Sequence, residues 1–74
     1  MSAAAKQVED IILIRDTSGF GGLPLNLRQM AQVRIDYPDA SLKELGSYLD
    51  PPVGKSGVNH RLRRLSEIAD KLRS

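Results

Sequence analysis

A chain of 74 residues holds at most one small domain with a modest core, and leaves no room for a large enclosed substrate cavity. The absence of cysteine excludes disulfide staples, thiolate zinc sites and a cysteine nucleophile. Net charge is only +2, but residues 1–40 carry four basic and five acidic side chains and residues 41–74 carry seven and four, with the positive charge densest from Lys55 to Arg64. A localised basic stripe is the electrostatic footprint of a nucleic-acid binder, although an excess of this size is also ordinary for a solvated surface.

The longest apolar run is IILI, residues 11–14, against the roughly 20 residues that span a bilayer, so no membrane partner is expected. The opening MSAAAK has no apolar segment of the signal-peptide kind and reads as an added leader or a frayed helix end. A soluble, intracellular protein is the expectation.

Residues 3–16, AAAKQVEDIILIRD, place apolar side chains mostly three and four apart, which predicts a helix; the β-rich IILI leaves a short strand open. TSGFGG at 17–22 breaks that element, with Phe20 as a candidate anchor to the core. The alternative, a phosphate-cradling loop of the P-loop kind, is disfavoured because no suitable strand precedes it and no Gly-Lys-Ser/Thr ending directly follows. A second helix is expected from Pro24, with Leu27, Met30, Ala31 and Tyr37 inward and Val33 and Ile35 widening the stripe. Arg28, Gln29, Gln32 and Asp36 lie opposite, and Pro38 ends the element.

A third, short helix opens at the capping box SLKE, with Ser41 as N-cap and Glu44 three residues later. Its expected inward residues are Leu42, Leu45, Tyr48 and Leu49, and DPP at 50–52 stops it. A fourth helix follows Gly54, capped by Lys55 or Ser56 and running to about Arg73. Its seam is Val58, Leu62, Leu65, Ala69 and Leu72, broadened by Ile68. The predicted fold is an all-α, small helical domain of about four helices. Residues 1–22 form an N-terminal helix and connector, and residues 23–74 a DNA-binding helix-turn-helix domain.

A short helix, a compact connection and a longer amphipathic helix make the layout of a helix-turn-helix of the extended-turn kind. With Val58 as the core direction at 100° per residue, Ser56, Asn59, His60, Arg63, Arg64 and Glu67 point outward, and Arg61 falls at the flank. Asn pairs with adenine and Arg with guanine through two hydrogen bonds each, so these are residue types that read base edges. Gly57 lets the backbone come close to a phosphate or base, and Lys55 lies beside the helix N-terminus, which favours anions. Ser41 and Lys43 are candidate phosphate clamps.

Each residue also has a plainer role. Ser56 serves as an N-cap, Gly57 is tolerated at a helix start, and Asn59, taken as the third helical residue, supports the cap. Lys43, Arg61, Arg63 and Arg64 belong to a solvated face. His60 stands alone, without a second ligand for a metal or a nucleophile to serve, so no metal, no cofactor and no enzymatic activity is expected. The clustering of these side chains on one helix face, at the groove-entering end, favours DNA.

SLKELGSYLDPPVGKSGVNHRLRRL, residues 41–65, resembles the C-terminal helix-turn-helix of the WhiA family of bacterial sporulation and cell-division regulators. KSGVNHRLR is the most distinctive phrase, and LPLNLRQMAQVRIDYPDA also fits the family pattern, so the likeness spans about residues 7–73. The resemblance implies a sigma-factor-like DNA-binding domain, joined in full-length members to an N-terminal region similar to LAGLIDADG homing endonucleases. It implies that Lys55 to Arg64 contact promoter DNA, and that RNA polymerase holoenzyme and a WhiB-like co-regulator are partners. The alternative is a protein-interaction module that docks on polymerase, a sigma factor or a co-regulator.

Overall fold

The computed structural model describes residues 3–74; Met1 and Ser2, part of the expected leader or frayed end, lie outside the described residues. Four helices follow one another: α1 (Ala3–Thr17), α2 (Leu25–Asp36), α3 (Leu42–Tyr48) and α4 (Lys55–Arg73). The all-α reading holds, and IILI is helical. Its spacing explains why: Ile11 and Ile14, three apart, are both buried, which a strand of alternating faces would not achieve. Gly19 ends α1 by taking φ +73, and its N–H reaches back to the carbonyl of Ile14 at 2.8 Å. Phe20 packs half-buried against the core, as its place in the loop suggested.

α4 packs against every other helix, and most extensively against α1. Val58, Leu62, Leu65 and Ala69 are essentially inaccessible to solvent. Each of the larger three stabilises the fold by about 1.5–3 kcal/mol when removed from water. They share one core with Ile11 and Ile14 of α1, Leu27, Met30 and Ala31 of α2, and Leu45 and Leu49 of the α3 region. Leu72, expected in the seam, is instead 37% exposed. Leu72 stays in line with Leu65 along α4 but stands in the last turn of the helix, where Arg73 is the residue turned to α1.

The middle of α1 and the end of α4 are tied by a buried carboxylate. Asp10 is fully buried, with Oδ2 2.9 Å from Lys6 Nζ and Oδ1 2.7 Å from Arg73 Nη1. Burial pushes the Asp10 carboxyl up, but hydrogen bonds from Lys6, Ser66 and Arg73 and the charge of Lys6 outweigh it and hold it below its ordinary value.

Three details of α2 and α3 depart from expectation. Pro24 is the N-cap of α2 and not its first helical residue: its ψ of 151° is extended, while its carbonyl accepts from Arg28 N at 2.9 Å. Tyr37 and Tyr48 are not core residues; they are 45% and 46% exposed. Tyr37 lies past the end of α2 at the C-cap (φ −129°, ψ 69°), where helical spacing no longer sets its direction. α3 turns Leu45 and Gly46 inward, which leaves Tyr48 on its flank.

Arg34, given no role by its position in the sequence pattern, is 2% exposed and fills the corner between α2 and α3. Its Nη2 donates to the carbonyls of Tyr37 and Ala40, each at 3.2 Å, and to that of Pro38. One guanidinium thus satisfies the carbonyls of the loop that carries the chain into the Ser41 cap. Burial pushes its pKa down, and the Asp39 charge pushes it back up.

Two outcomes are expected. Arg34→Ala strands these carbonyls and should cost about 2–4 kcal/mol, lowering the midpoint of a thermal melt followed by circular dichroism by on the order of 10 °C or more. Asp10→Asn should cost about 1–2 kcal/mol at neutral pH. Because the folded pKa of Asp10 lies below its ordinary 3.8, its contribution is complete above that value and is lost as pH falls through the folded value. Urea melts from pH 6 to pH 2 should therefore show wild type and Asp10→Asn converging at the acid end.

Candidate nucleic-acid interface

The connection between α3 and α4, residues 49–54, is folded around Val53. Val53 N donates to the carbonyl of Gly46 at 3.0 Å, and Leu49 N donates to the same oxygen at 3.4 Å. A Cβ added at Gly46 would stand 1.9 Å from the carbonyl oxygen of Val53 and 3.2 Å from Val58 Cγ2. A Cβ at Gly57 would stand 2.4 Å from Val53 Cγ1. The two glycines thus let the connection press against α3 on one side and α4 on the other. This gives Gly57 a packing role that the sequence reading did not foresee. The Asp50–Pro51 peptide in this connection is cis.

α4 begins one residue earlier than expected. Gly54 is the N-cap (φ −74°, ψ 171°), its carbonyl accepts from Val58 N at 3.0 Å, and Lys55 is the first helical residue. Neither Lys55 nor Ser56 is therefore the cap, and Ser56 stands second in the helix. Asn59 stands fifth, too far along to support a cap. With no side chain capping this end, Ser56 and Asn59 do not serve the first turn's N–H groups as caps.

Lys55, Ser56, Asn59, His60, Arg63 and Arg64 are all exposed. Ser56, Asn59, His60 and Arg63 follow at i, i+3, i+4 and i+7 and so form one outward strip opposite the buried Val58 and Leu62. Arg64 lies beside it and is tied to Glu67, its Nη1 3.0 Å from Oε2. Arg61 is half-buried, on the side of α4 that also carries Gly57.

Ser41 and Lys43 sit at the start of α3. The Ser41 hydroxyl accepts from Glu44 N at 3.2 Å, and Ser41 N donates to Glu44 Oε1 at 3.0 Å, so the predicted capping box is formed. The backbone and side chain of Ser41 hold the Glu44 carboxyl below its ordinary value. Ser41 and Lys43 are both exposed, and Ser41 faces Asn59 across a shallow groove of about 310 Å³ that also meets Gln7 of α1. The starts of α3 and α4 are therefore brought to one surface.

Among the described residues no group of three or more His, Asp or Glu side chains could hold a metal ion, and no helix is long and apolar enough to cross a membrane.

Residues 1–69 match the family described as the WhiA C-terminal HTH domain. The chain belongs to the WhiA C-terminal helix-turn-helix family. It is 60% identical over 73 residues to a probable cell division protein WhiA of Lachnoclostridium phytofermentans, covering 99% of this chain and 23% of the relative. It is 58% identical over 74 residues to the protein of the same name from Clostridium beijerinckii, covering all of this chain and 24% of the relative. A crystal structure of full-length DUF199/WhiA from Thermatoga maritima superposes with a TM-score of 0.86 at 37% identity, over 92% of this chain and 23% of that one. The chain thus spans about a quarter of the length of the curated WhiA relatives it matches.

Gly46 is the residue of this region that sequence reasoning missed. The only signal was a glycine in the middle of a short helix, where helix propensity disfavours it. Gly46→Ala should lose about 2–3 kcal/mol in a urea melt despite its better helix propensity, because the added methyl meets backbone. Gly57→Ala, which meets a side-chain methyl of Val53, should lose less.

Proposed function

We propose that this domain binds double-stranded promoter DNA, with the N-terminal half of α4 in the major groove and the start of α3 across the phosphate backbone. The observation that carries this reading is the strip Ser56–Asn59–His60–Arg63. Its side chains are exposed hydrogen-bonding groups, and the opposite face of the same helix is locked into the core. A rigidly seated helix that presents Asn and Arg at groove-facing spacing has the means to distinguish base pairs.

In this arrangement Arg63 and Asn59 address base edges, with His60 beside them. Lys55, Ser56 and the backbone at Gly57 meet phosphate at the start of α4, where the uncapped N–H groups and the helix dipole favour an anion. Ser41 and Lys43 meet phosphate from α3, and Arg61 and Arg64 reach it from the flank. Arg64 must first exchange Glu67 for the nucleic acid, an exchange between exposed groups and therefore an inexpensive one. The product is a regulator of transcription in cell division and sporulation, acting in the bacterial cytoplasm at the nucleoid. The rest of the longer protein, RNA polymerase holoenzyme and a WhiB-like co-regulator complete its activity. One domain with few phosphate contacts binds weakly by itself and with a marked salt dependence.

The test is fluorescence anisotropy with a promoter duplex over a series of salt concentrations. Arg63→Ala should weaken binding by about tenfold or more. Lys55→Ala should weaken binding to all duplexes alike and reduce the magnitude of the slope of log K against log salt by about one. Undiminished binding by both variants would overturn the reading.

A further inference from the structure

A second surface of the domain has the opposite character. Tyr37 and Tyr48 stack on each other in the open, with ring centroids 4.3 Å apart and planes inclined by 25°. They lie in a shallow groove with Pro38, and three carboxylates surround them: Asp36, Asp39 and Glu44. Among the described residues none of these three carboxylates is in an ion pair with a Lys or Arg side chain. Asp36 accepts from the neutral amide of Gln32 at 2.9 Å, and Glu44 from the backbone of Ser41. Arg34 acts on Asp39 through its charge, but it is buried and its Nη2 is committed to the loop carbonyls.

Solvated aromatic faces beside carboxylates held in no ion pair repel a polyanion and attract an organic cation. A ring face takes a guanidinium or ammonium group by cation–π contact, and a neighbouring carboxylate supplies the counter-charge. Stacked tyrosines that are nearly half exposed also offer apolar area that a monomer gains nothing by leaving open. The surface is separate from the basic strip. Gly46 is the side of α3 pressed toward Val53 and Val58, and Glu44 and Tyr48 come off the opposite flank.

We propose that the Tyr37–Tyr48 shelf is a docking site for a protein partner, and that the docked element is a basic segment carrying Arg or Lys beside apolar residues. Charge complementarity selects this occupant over nucleic acid. Because the shelf and the basic strip lie on different flanks of the α3–α4 unit, partner and DNA bind together. The proposal stands on its own and does not need α4 to read DNA.

The chain provides its own probe, since it has no tryptophan and its two tyrosines are Tyr37 and Tyr48. The whole 74-residue domain is titrated with a blocked peptide of sequence Gly-Arg-Leu-Lys-Arg-Leu-Gly, read by tyrosine fluorescence and by amide chemical shifts. A companion peptide has each basic residue replaced by Glu. Saturable change with the basic peptide alone, with shifts at residues 36–48, is the expected result. Tyr48→Ser and the double variant Asp36→Asn, Asp39→Asn should each weaken it about tenfold, with amide spectra that show the fold intact and duplex binding within about twofold of wild type. No saturation by the basic peptide at millimolar concentration, or an equal response to the acidic peptide, would overturn the proposal. So would amide shifts at Tyr37 and Tyr48 on addition of a DNA duplex without peptide, which would make the shelf part of a nucleic-acid surface.

Discussion

Everything in this domain depends on α4 serving as the core's centre and its outer edge at once. Val58, Leu62, Leu65 and Ala69 hold α1, α2 and α3 around one face of the helix. The same residues fix the rotation of the helix about its axis. Ser56, Asn59, His60 and Arg63 then have no freedom about which way to point. A helix rolled by one residue, 100°, would bury a charged side chain without a partner, so the orientation of the exposed strip is protected by the cost of that burial.

The connections are fixed by polar chemistry of a different kind. Arg34 holds the α2–α3 loop by its carbonyls, and the Gly46 carbonyl holds the α3–α4 connection through Val53 N. Asp10, midway along α1, ties that helix to the end of α4. In the two connections a group that would be costly to leave unpaired accepts from or donates to chain segments that have no helix of their own to satisfy them. A domain of this size has too little apolar area to order its loops by packing alone.

The outer surface divides by charge. Basic and amide groups gather on α4 and at the start of α3, whereas carboxylates and the tyrosine pair gather where α2 meets α3. This division is nearly invisible in a net charge of +2. It arises because a short α3 has two flanks, one facing the connection to α4 and one facing the end of α2.

The helices, their order and the seam of α4 were legible in the sequence because spacing of apolar residues and caps acts locally. The capping box at Ser41 and the stop at Pro38 formed as local chemistry required, and the outward strip of α4 followed once Val58 was taken as inward. What the sequence could not decide were contacts between residues distant along the chain. It did not show that Arg34 would be buried, that Tyr37 and Tyr48 would meet in solvent, or that Gly46 and Gly57 would face Val53. Nor did it show that Leu72, in line with the seam, would be exposed in the last turn while Arg73 reaches Asp10. Periodicity assigns a residue to a face of its own helix. Which neighbour lies on that face, and whether it is apolar, backbone or water, is settled only when the four helices pack.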